Sequence, residues 1–345
     1  MAYGIFYDLN HLFESSTFYR QSFESILFGS ERNSMSPNEA LASLRVGEIS
    51  PDRTTIVGRD SFLFLFEGTN SYYHQYFSSN NAQKGVQWAE LSSERYQRFS
   101  GTPFLSIFVP NKATCLYDLY PIKLSYDSTP AWQNFRIHTA GDDGVMFSDA
   151  LFSSSKVGGK ELPAWRMVDS HWSEYGCLTT ANEILERLGI NKIQYVLQNI
   201  DTQSLVGDLS CKFDSLICLE LTSQKININL PESKIIFDSG NGSVYGPNLG
   251  RRITRINPEA ICDLHLLLVG NSFSGLGDFR TDLTYWLGLI FSKVTFLHSG
   301  CIPADALEFY RPDLIIFQGV EHFLTQVPSD NLKADEIELI YTKHL

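Results

Sequence analysis

The sequence predicts an α/β domain organised on a mostly parallel sheet, and three observations predict it. The run Leu264-His265-Leu266-Leu267-Leu268-Val269, closed by Gly270, has the near-continuous apolar character of a strand covered on both faces. Phe104-Leu105-Ser106-Ile107-Phe108-Val109, stopped by Pro110, has the same character. Over the C-terminal half such runs alternate with helical spacing, which implies βαβ units rather than a meander of hairpins.

Residues 1–50 read as an aromatic-rich N-terminal arm, partly helical, with a short helix over Asn38–Leu44 after Pro37. Residues 51–345 are expected to be one domain. Within it Ile56 to Leu65, interrupted by Gly58-Arg59-Asp60, reads as a hairpin or strand, and Gln83 to Phe99 sets Val86, Leu91, Tyr96 and Phe99 at helical spacing. From 131 to 160 the pattern dissolves into Gly, Ser and Asp, so a loopy surface insertion, with a lid as one use, is expected there. Leu178, Ala181, Ile184, Leu185 and Leu188 mark one face of a helix closed by Gly189. Lys192–Ile200 reads as a strand and Asp238-Ser239-Gly240-Asn241-Gly242 as a hairpin turn. An amphipathic helix is expected from near Asp278 through Leu283, Trp286, Leu287, Leu289 and Ile290. Strand Lys293–Leu297, helix Asp305–Tyr310 and strand Pro312–Gln318, ending at Gly319-Val320-Glu321-His322, complete the order.

Composition bounds the function. With 43% hydrophobic and 19% charged residues the chain is of globular type. No apolar run approaches the roughly 20 residues of a membrane span. A net charge of -12, dispersed along the chain, argues against nucleic acid as a partner, because no basic stripe can displace counterions. Arg251, Arg252 and Arg255 come nearest to a basic patch and are expected in a solvated loop. Cys115, Cys177, Cys211, Cys218, Cys262 and Cys301 show no metal-ligand spacing, so no metal site is expected, and free thiols suit a reducing compartment. The N-terminus lacks a basic n-region; a cytoplasmic location is expected, or a periplasmic one if a leader has been removed.

Two stretches carry chemistry. Ser272 follows the strand that ends at Gly270-Asn271, a setting that can stand a serine at the carboxyl edge of a sheet beside backbone amides; an ordinary capped turn is the plain alternative. Asp169 and His171 lie in Met167-Val168-Asp169-Ser170-His171-Trp172-Ser173, just before a helix. There an aspartate can accept the imidazole Nδ1–H and favour the cation, and a purely structural Asp–His pair is an equal reading. Hydroxyl, base and orienter are the parts of a nucleophilic triad. His322, beside Glu321 at another strand end, is a rival base. Asn111 and Lys112 fall at a sheet edge where ligands bind in open α/β folds, although a solvated loop lysine is the plainer reading of Lys112.

These residues carry a resemblance. Val269-Gly270-Asn271-Ser272-Phe273-Ser274, preceded by Asp169-Ser170-His171-Trp172-Ser173, is similar to the SGNH-hydrolase-like domain of the bacterial alginate O-acetyltransferase family, whose motif order is permuted relative to ordinary SGNH esterases. Gly58-Arg59-Asp60-Ser61-Phe62-Leu63-Phe64, Val109-Pro110-Asn111-Lys112 with Leu119-Tyr120-Pro121, Gly207-Asp208-Leu209 and Gly319-Val320-Glu321-His322-Phe323-Leu324 resemble further family segments in order. The chain departs from the pattern at Ser61, Asn271 and His322. The resemblance implies a three-layer α/β/α sandwich, with Ser272 as acyl-accepting nucleophile, His171 as base and then acid, and Asp169 as its orienter. Trp172, Tyr175, Asn271, Lys112, Glu321 and His322 are the candidate substrate-binding residues. The implied activity is O-acetyl transfer to a polysaccharide of capsular type by a ping-pong route. Acetyl-CoA is the expected donor, no cofactor is bound, and polysaccharide-assembly proteins are further partners. A carbohydrate acetylesterase and a catalytically silent glycan-binding scaffold are the alternatives.

Overall fold

A computed structural model describes residues 43–68, 79–123, 130–153, 155–157, 160–198, 203–213, 218–220, 225–240, 248–275 and 280–342. In chain order the first elements are β1 (Thr55–Val57), β2 (Leu63–Leu65), α1 (Ser79–Arg98), β3 (Phe104–Val109), the single turn α2 (Lys112–Cys115), α3 (Ala131–His138) and β4 (Val145–Phe147). The middle of the chain holds β5 (Ser155–Val157), β6 (Lys160–Leu162), α4 (Glu174–Arg187), β7 (Tyr195–Gln198), β8 (Gln203–Val206), β9 (Cys218–Glu220) and β10 (Lys225–Ile228). Then follow β11 (Lys234–Asp238), β12 (Arg252–Ile256), β13 (Cys262–Gly270), α5 (Leu283–Gly288), β14 (Phe291–His298), α6 (Ala306–Tyr310), β15 (Leu314–Val320) and α7 (Ala334–Thr342).

The central sheet runs β11-β12-β14-β13-β15-β3-β4. From β14 to β4 every neighbour is parallel, while β12 joins β14, and β11 joins β12, antiparallel. Strand periodicity sorts the core into two layers. Leu266 and Leu268 of β13, Ile316 of β15 and Leu105 and Ile107 of β3 pack with Leu178, Ala181 and Ile184 of α4 and with Trp286 and Leu287 of α5. Leu267, Val269, Ile315, Phe317, Phe104 and Phe108 face the other way, onto Trp88 of α1, Phe135 of α3, Ala306 of α6 and Ile337 of α7. The result is a three-layer α/β/α sandwich in which β13, buried on both faces over its C-terminal half, ends at Gly270.

Three expectations need correction. Residues 131–147 are no insertion: α3 buries Ala131, Trp132 and Phe135, and β4 is the edge strand paired with β3. The α3 backbone lies so close to α1 that a Cβ at Gly85 would meet the Ala131 carbonyl oxygen at 2.2 Å, so the start of α3 is packed into the domain rather than looped over its surface. Arg251 and Arg255 are buried, the first paired with Asp238 at 2.7 Å and the second donating to Ser233 Oγ at 2.9 Å, so no basic loop exists there. Every residue of α5 is buried, because the helix is enclosed rather than laid on a surface. The strand expected within Lys192–Ile200 is present as Tyr195–Gln198 and pairs with β10 outside the central sheet. The arm through residue 42, including most of the helix expected at Asn38–Leu44, lies outside the described residues.

Candidate active site

The carboxyl ends of β13, β15 and β3 meet at one edge of the sheet, and the loop before α4 covers it. Ser272 stands two residues past β13 in a tight turn. Asn271 shapes that turn: its Oδ1 accepts from the Phe273 amide at 3.1 Å and its carbonyl accepts from the Ser274 amide at 2.9 Å. Gln318 of β15 anchors the turn from the side, its Oε1 accepting from Ser274 Oγ at 2.9 Å. The far end docks on α5, where the Thr284 amide donates to the Ser274 carbonyl at 2.9 Å.

The 166–171 loop is closed at its base by a bridge between Trp165 and Trp172 and by the Ser173 amide donating to the Ala164 carbonyl at 2.8 Å. Ser173 then caps α4, its Oγ accepting from the Gly176 amide at 3.1 Å. Gly176 is required here, since a Cβ would lie 2.2 Å from the Ala164 oxygen. Inside the loop the Asp169 carboxylate accepts from the His171 backbone amide at 2.8 Å and faces His171 Nδ1 at 2.8 Å. On the other side of the ring His171 Nε2 lies 2.9 Å from Ser272 Oγ. Phe273 packs on the imidazole, ring centroids 4.7 Å apart, and fixes its plane.

Electrostatics suit a proton-accepting ring. Burial alone would lower the His171 pKa, but the Asp169 hydrogen bond and the charges of Asp169 and Asp208 outweigh it and raise it above its ordinary value, against Arg166. Burial pushes the Asp169 carboxyl up, yet the hydrogen bond and charge of His171, helped by Arg166 at 3.4 Å, hold it far below the carboxylate range. Among the described residues, Asp169, His171 and Asp208 are one group whose donor atoms converge within 4.8 Å. Those atoms already face one another and Ser170, so the group reads as a hydrogen-bonded network.

The other candidates are placed as follows. Lys112, read as a solvated lysine and a substrate contact, is buried instead; its Nζ donates to the carbonyls of Leu63 (2.6 Å), Met167 (2.8 Å) and Asp169 (3.0 Å). Glu321 is fully buried and accepts from the Asn111 amide at 2.7 Å and Thr114 Oγ1 at 2.8 Å. His322 Nδ1 lies 2.7 Å from Asn111 Oδ1, and burial, with His171 as a lesser cause, lowers its pKa to about 3. The Lys112 ammonium, the Glu321 carboxylate and His322 Nδ1 thus brace the loops around the site. Trp172 is also buried, its indole N–H donating to the Thr281 carbonyl at 2.7 Å. Tyr175 sits half-buried in the first turn of α4, beside Tyr195.

Asp208 was not expected to matter, whereas Asn111 was already placed at the sheet edge where ligands bind. Asp208 accepts from the Ser170 amide at 2.7 Å and from Ser170 Oγ. Asn111 Nδ2 is buried with no partner among the described residues, and Asn111 lines a small cleft with Ser170, Leu65, Ala113, Trp165 and Phe273. Both residues stand in motifs singled out in the sequence; neither carries a local sign of its role.

Neither a family model nor a curated sequence matches the chain. Solved structures do. A DHHW family protein from Eubacterium siraeum aligns with a TM-score of 0.51 at 10% identity, over 85% of this chain and 98% of that one. The chain shares the α/β fold of that protein. The O-acetyltransferase domain of Pseudomonas putida AlgJ aligns with a TM-score of 0.46 at 15% identity (84% of this chain, 99% of that one). PatB1 of Bacillus cereus aligns with a TM-score of 0.49 at 13% identity (78% and 98%). At such identities the likeness is one of fold.

Proposed function

We propose that this protein is an O-acetyltransferase that moves an acetyl group through Ser272 to a hydroxyl of a polysaccharide. The observation that carries the reading is the relay Asp169–His171–Ser272, with 2.8 Å and 2.9 Å between successive polar atoms. That geometry meets the requirement for nucleophilic catalysis: a hydroxyl in reach of a base, and the base held by a third group. The motif order Asp-x-His-Trp before Gly-x-Ser-Phe-Ser supports the transferase reading over a generic hydrolase.

In the first half-reaction His171 Nε2 takes the Ser272 proton as Oγ attacks the acetyl carbonyl. The ring becomes cationic, and Asp169 stabilises it without itself being protonated. The developing oxyanion needs donors; the Ser272 backbone N–H and the buried side-chain Nδ2 of Asn111 are the groups we assign to it. The imidazolium then protonates the leaving group, giving acetyl-Ser272. In the second half-reaction the sugar hydroxyl takes the place vacated by the leaving group and attacks the acetyl carbonyl as His171 accepts its proton. The bond to Ser272 Oγ breaks, His171 returns the proton to that oxygen, and the ester passes to the glycan. The thioester acetyl-CoA is the donor we propose, and a surface glycan of capsular type the acceptor.

A fluorophosphonate probe tests for an activated serine: labelling of wild type and none of Ser272→Ala is expected, and an unlabelled wild type would point to a glycan-binding scaffold. Incubation with radiolabelled acetyl-CoA and a panel of glycans tests the transfer. Label moving to a glycan is expected; acetate release from acetylated glycan without any donor-dependent transfer would make the protein an esterase.

A further inference from the structure

The 166–171 loop is held by more than its own hydrogen bonds. The Gly207-Asp208 turn presses on it so closely that a Cβ at Gly207 would lie 2.0 Å from the Val168 carbonyl oxygen, a contact only glycine allows. From that turn the Asp208 amide donates to Asp169 Oδ2 at 3.3 Å, and the Ser210 amide donates to the Val168 carbonyl at 3.1 Å. Asp208 Oδ1 accepts from the Ser170 amide at 2.7 Å, and Oδ2 accepts from Ser170 Oγ. Asp208 Oδ2 also stands 3.8 Å from His171 Nδ1, so two carboxylates lie behind one imidazole.

We propose that Asp208 is a positioning residue for the acid–base step: it fixes the residue between Asp169 and His171 and places a second negative charge behind the ring that must become cationic. The inference rests on the reading of His171 as general base and extends the machinery by one carboxylate that the triad does not contain. Each half of the role has its own geometry. The two Ser170 hydrogen bonds lock the loop at its midpoint, and the 3.8 Å approach favours imidazolium over imidazole.

The charges facing His171 come from several elements. Its own loop brings Asp169 and Arg166, the 207–208 turn brings Asp208, the segment after β15 brings the neutral His322, and α2 brings Lys112, which reaches the Asp169 carbonyl. Arg166 opposes the cation, and Asp169 and Asp208 favour it. Loss of the Asp208 charge therefore lowers the His171 pKa. Since acylation needs neutral His171, the acid limb of the rate profile moves to lower pH. The plateau falls as well, because the imidazolium formed in the transition state loses a stabilising charge.

The test compares wild type, Asp208→Asn, Asp208→Glu and Ser170→Ala. The His171 ring is titrated by NMR, and the rate of Ser272 acylation by p-nitrophenyl acetate is followed against pH. Asp208→Asn is expected to lower the His171 pKa by about one unit or more and the plateau rate about tenfold or more. Asp208→Glu should restore most of the pKa. Ser170→Ala, which keeps the charge and the backbone hydrogen bond but removes the hydroxyl half of the tether, should leave the pKa near wild type and lower the plateau about two-fold or more. An unchanged pKa and profile in Asp208→Asn would overturn the proposal. Should that variant not fold, an unaltered plateau in Ser170→Ala, or a wild-type plateau and pKa lost together in Asp208→Glu, would do so. The two readings fail separately. A wild type that is never acylated, yet shows the NMR shift in Asp208→Asn, sinks the enzyme reading alone; normal acylation insensitive to Asp208 sinks only this inference.

Discussion

Replacing Lys112 with methionine keeps most of the side-chain volume and removes an ammonium that three backbone carbonyls share, at 2.6, 2.8 and 3.0 Å. The same ammonium lies 5.3 Å from the Phe62 ring centroid and 5.2 Å from that of Phe64. Hydrogen bonds to a charged donor contribute about 1.5–3 kcal/mol each, and burying an ammonium costs several kcal/mol, which offsets part of the sum. What remains is the Leu63 and Asp169 carbonyls deprived of the ammonium, while Met167 keeps the Leu63 amide at 2.8 Å, so a net loss of about 2 kcal/mol is expected for Lys112→Met. Two of those carbonyls, Met167 and Asp169, belong to the loop that orients His171. A displacement of about 1 Å there would lower acylation on the order of a hundred-fold. Urea unfolding followed by tryptophan fluorescence reads the first effect, and burst kinetics with p-nitrophenyl acetate read the second. A variant as stable and as active as wild type would refute the reasoning and return Lys112 to the solvent.

Three further outcomes test other parts of the account. Asp169→Asn should leave the protein folded and reduce Ser272 acylation by about ten thousand-fold, because the amide favours the wrong imidazole tautomer; stopped-flow acylation checks this. Gly85→Ala should destabilise the fold by about 1–3 kcal/mol, measured by urea unfolding, because the new Cβ would meet the Ala131 carbonyl at 2.2 Å. Helix propensity alone predicts the opposite sign. Stability should also fall on acidification below the pKa of an unfolded histidine, about 6.5, towards the His322 value of about 3: the native state holds this ring neutral while the unfolded chain protonates it. The slope from this residue is about 1.4 kcal/mol per pH unit, and His322→Gln should remove it from unfolding midpoints measured across that range. His171, whose folded pKa is raised, acts in the opposite sense: its stabilisation is complete below about 6.5 and is lost as pH rises through the folded value.

Strands buried on both faces were plain in the sequence, because Leu266–Val269 and Phe104–Val109 need no partner to show an apolar run with an abrupt stop. The cap and face of α4 were equally local signals. Residues 131–147 were obscured by Gly141, Asp142, Asp143 and Gly144, although Trp132 and Phe135 already marked a buried face. The burial of Lys112, Arg251 and Arg255 leaves no local trace. Each cation is enclosed by partners distant in sequence, such as Met167 for Lys112, and a basic residue beside a strand end looks the same whether it is paired inside or solvated. At the site, the types and spacing of Asp169 and His171 suggested a pair, and Ser272 suggested a turn. What joins them is the loop's approach to the β13 edge, a tertiary fact. Asp208 was visible as part of Gly-Asp-Leu, but its reach to Ser170 depends on how closely Gly207 lets two backbones approach.

The central claim is that Ser272 Oγ accepts an acyl group under the control of His171, and intact-mass analysis of protein quenched in acid after brief exposure to an acetyl donor tests it most directly. One acetyl equivalent on wild type, mapped to Ser272 and missing from Ser272→Ala, is the expected result. Wild type that gains no acetyl from any activated donor, or Ser272→Ala that gains as much as wild type, would contradict it.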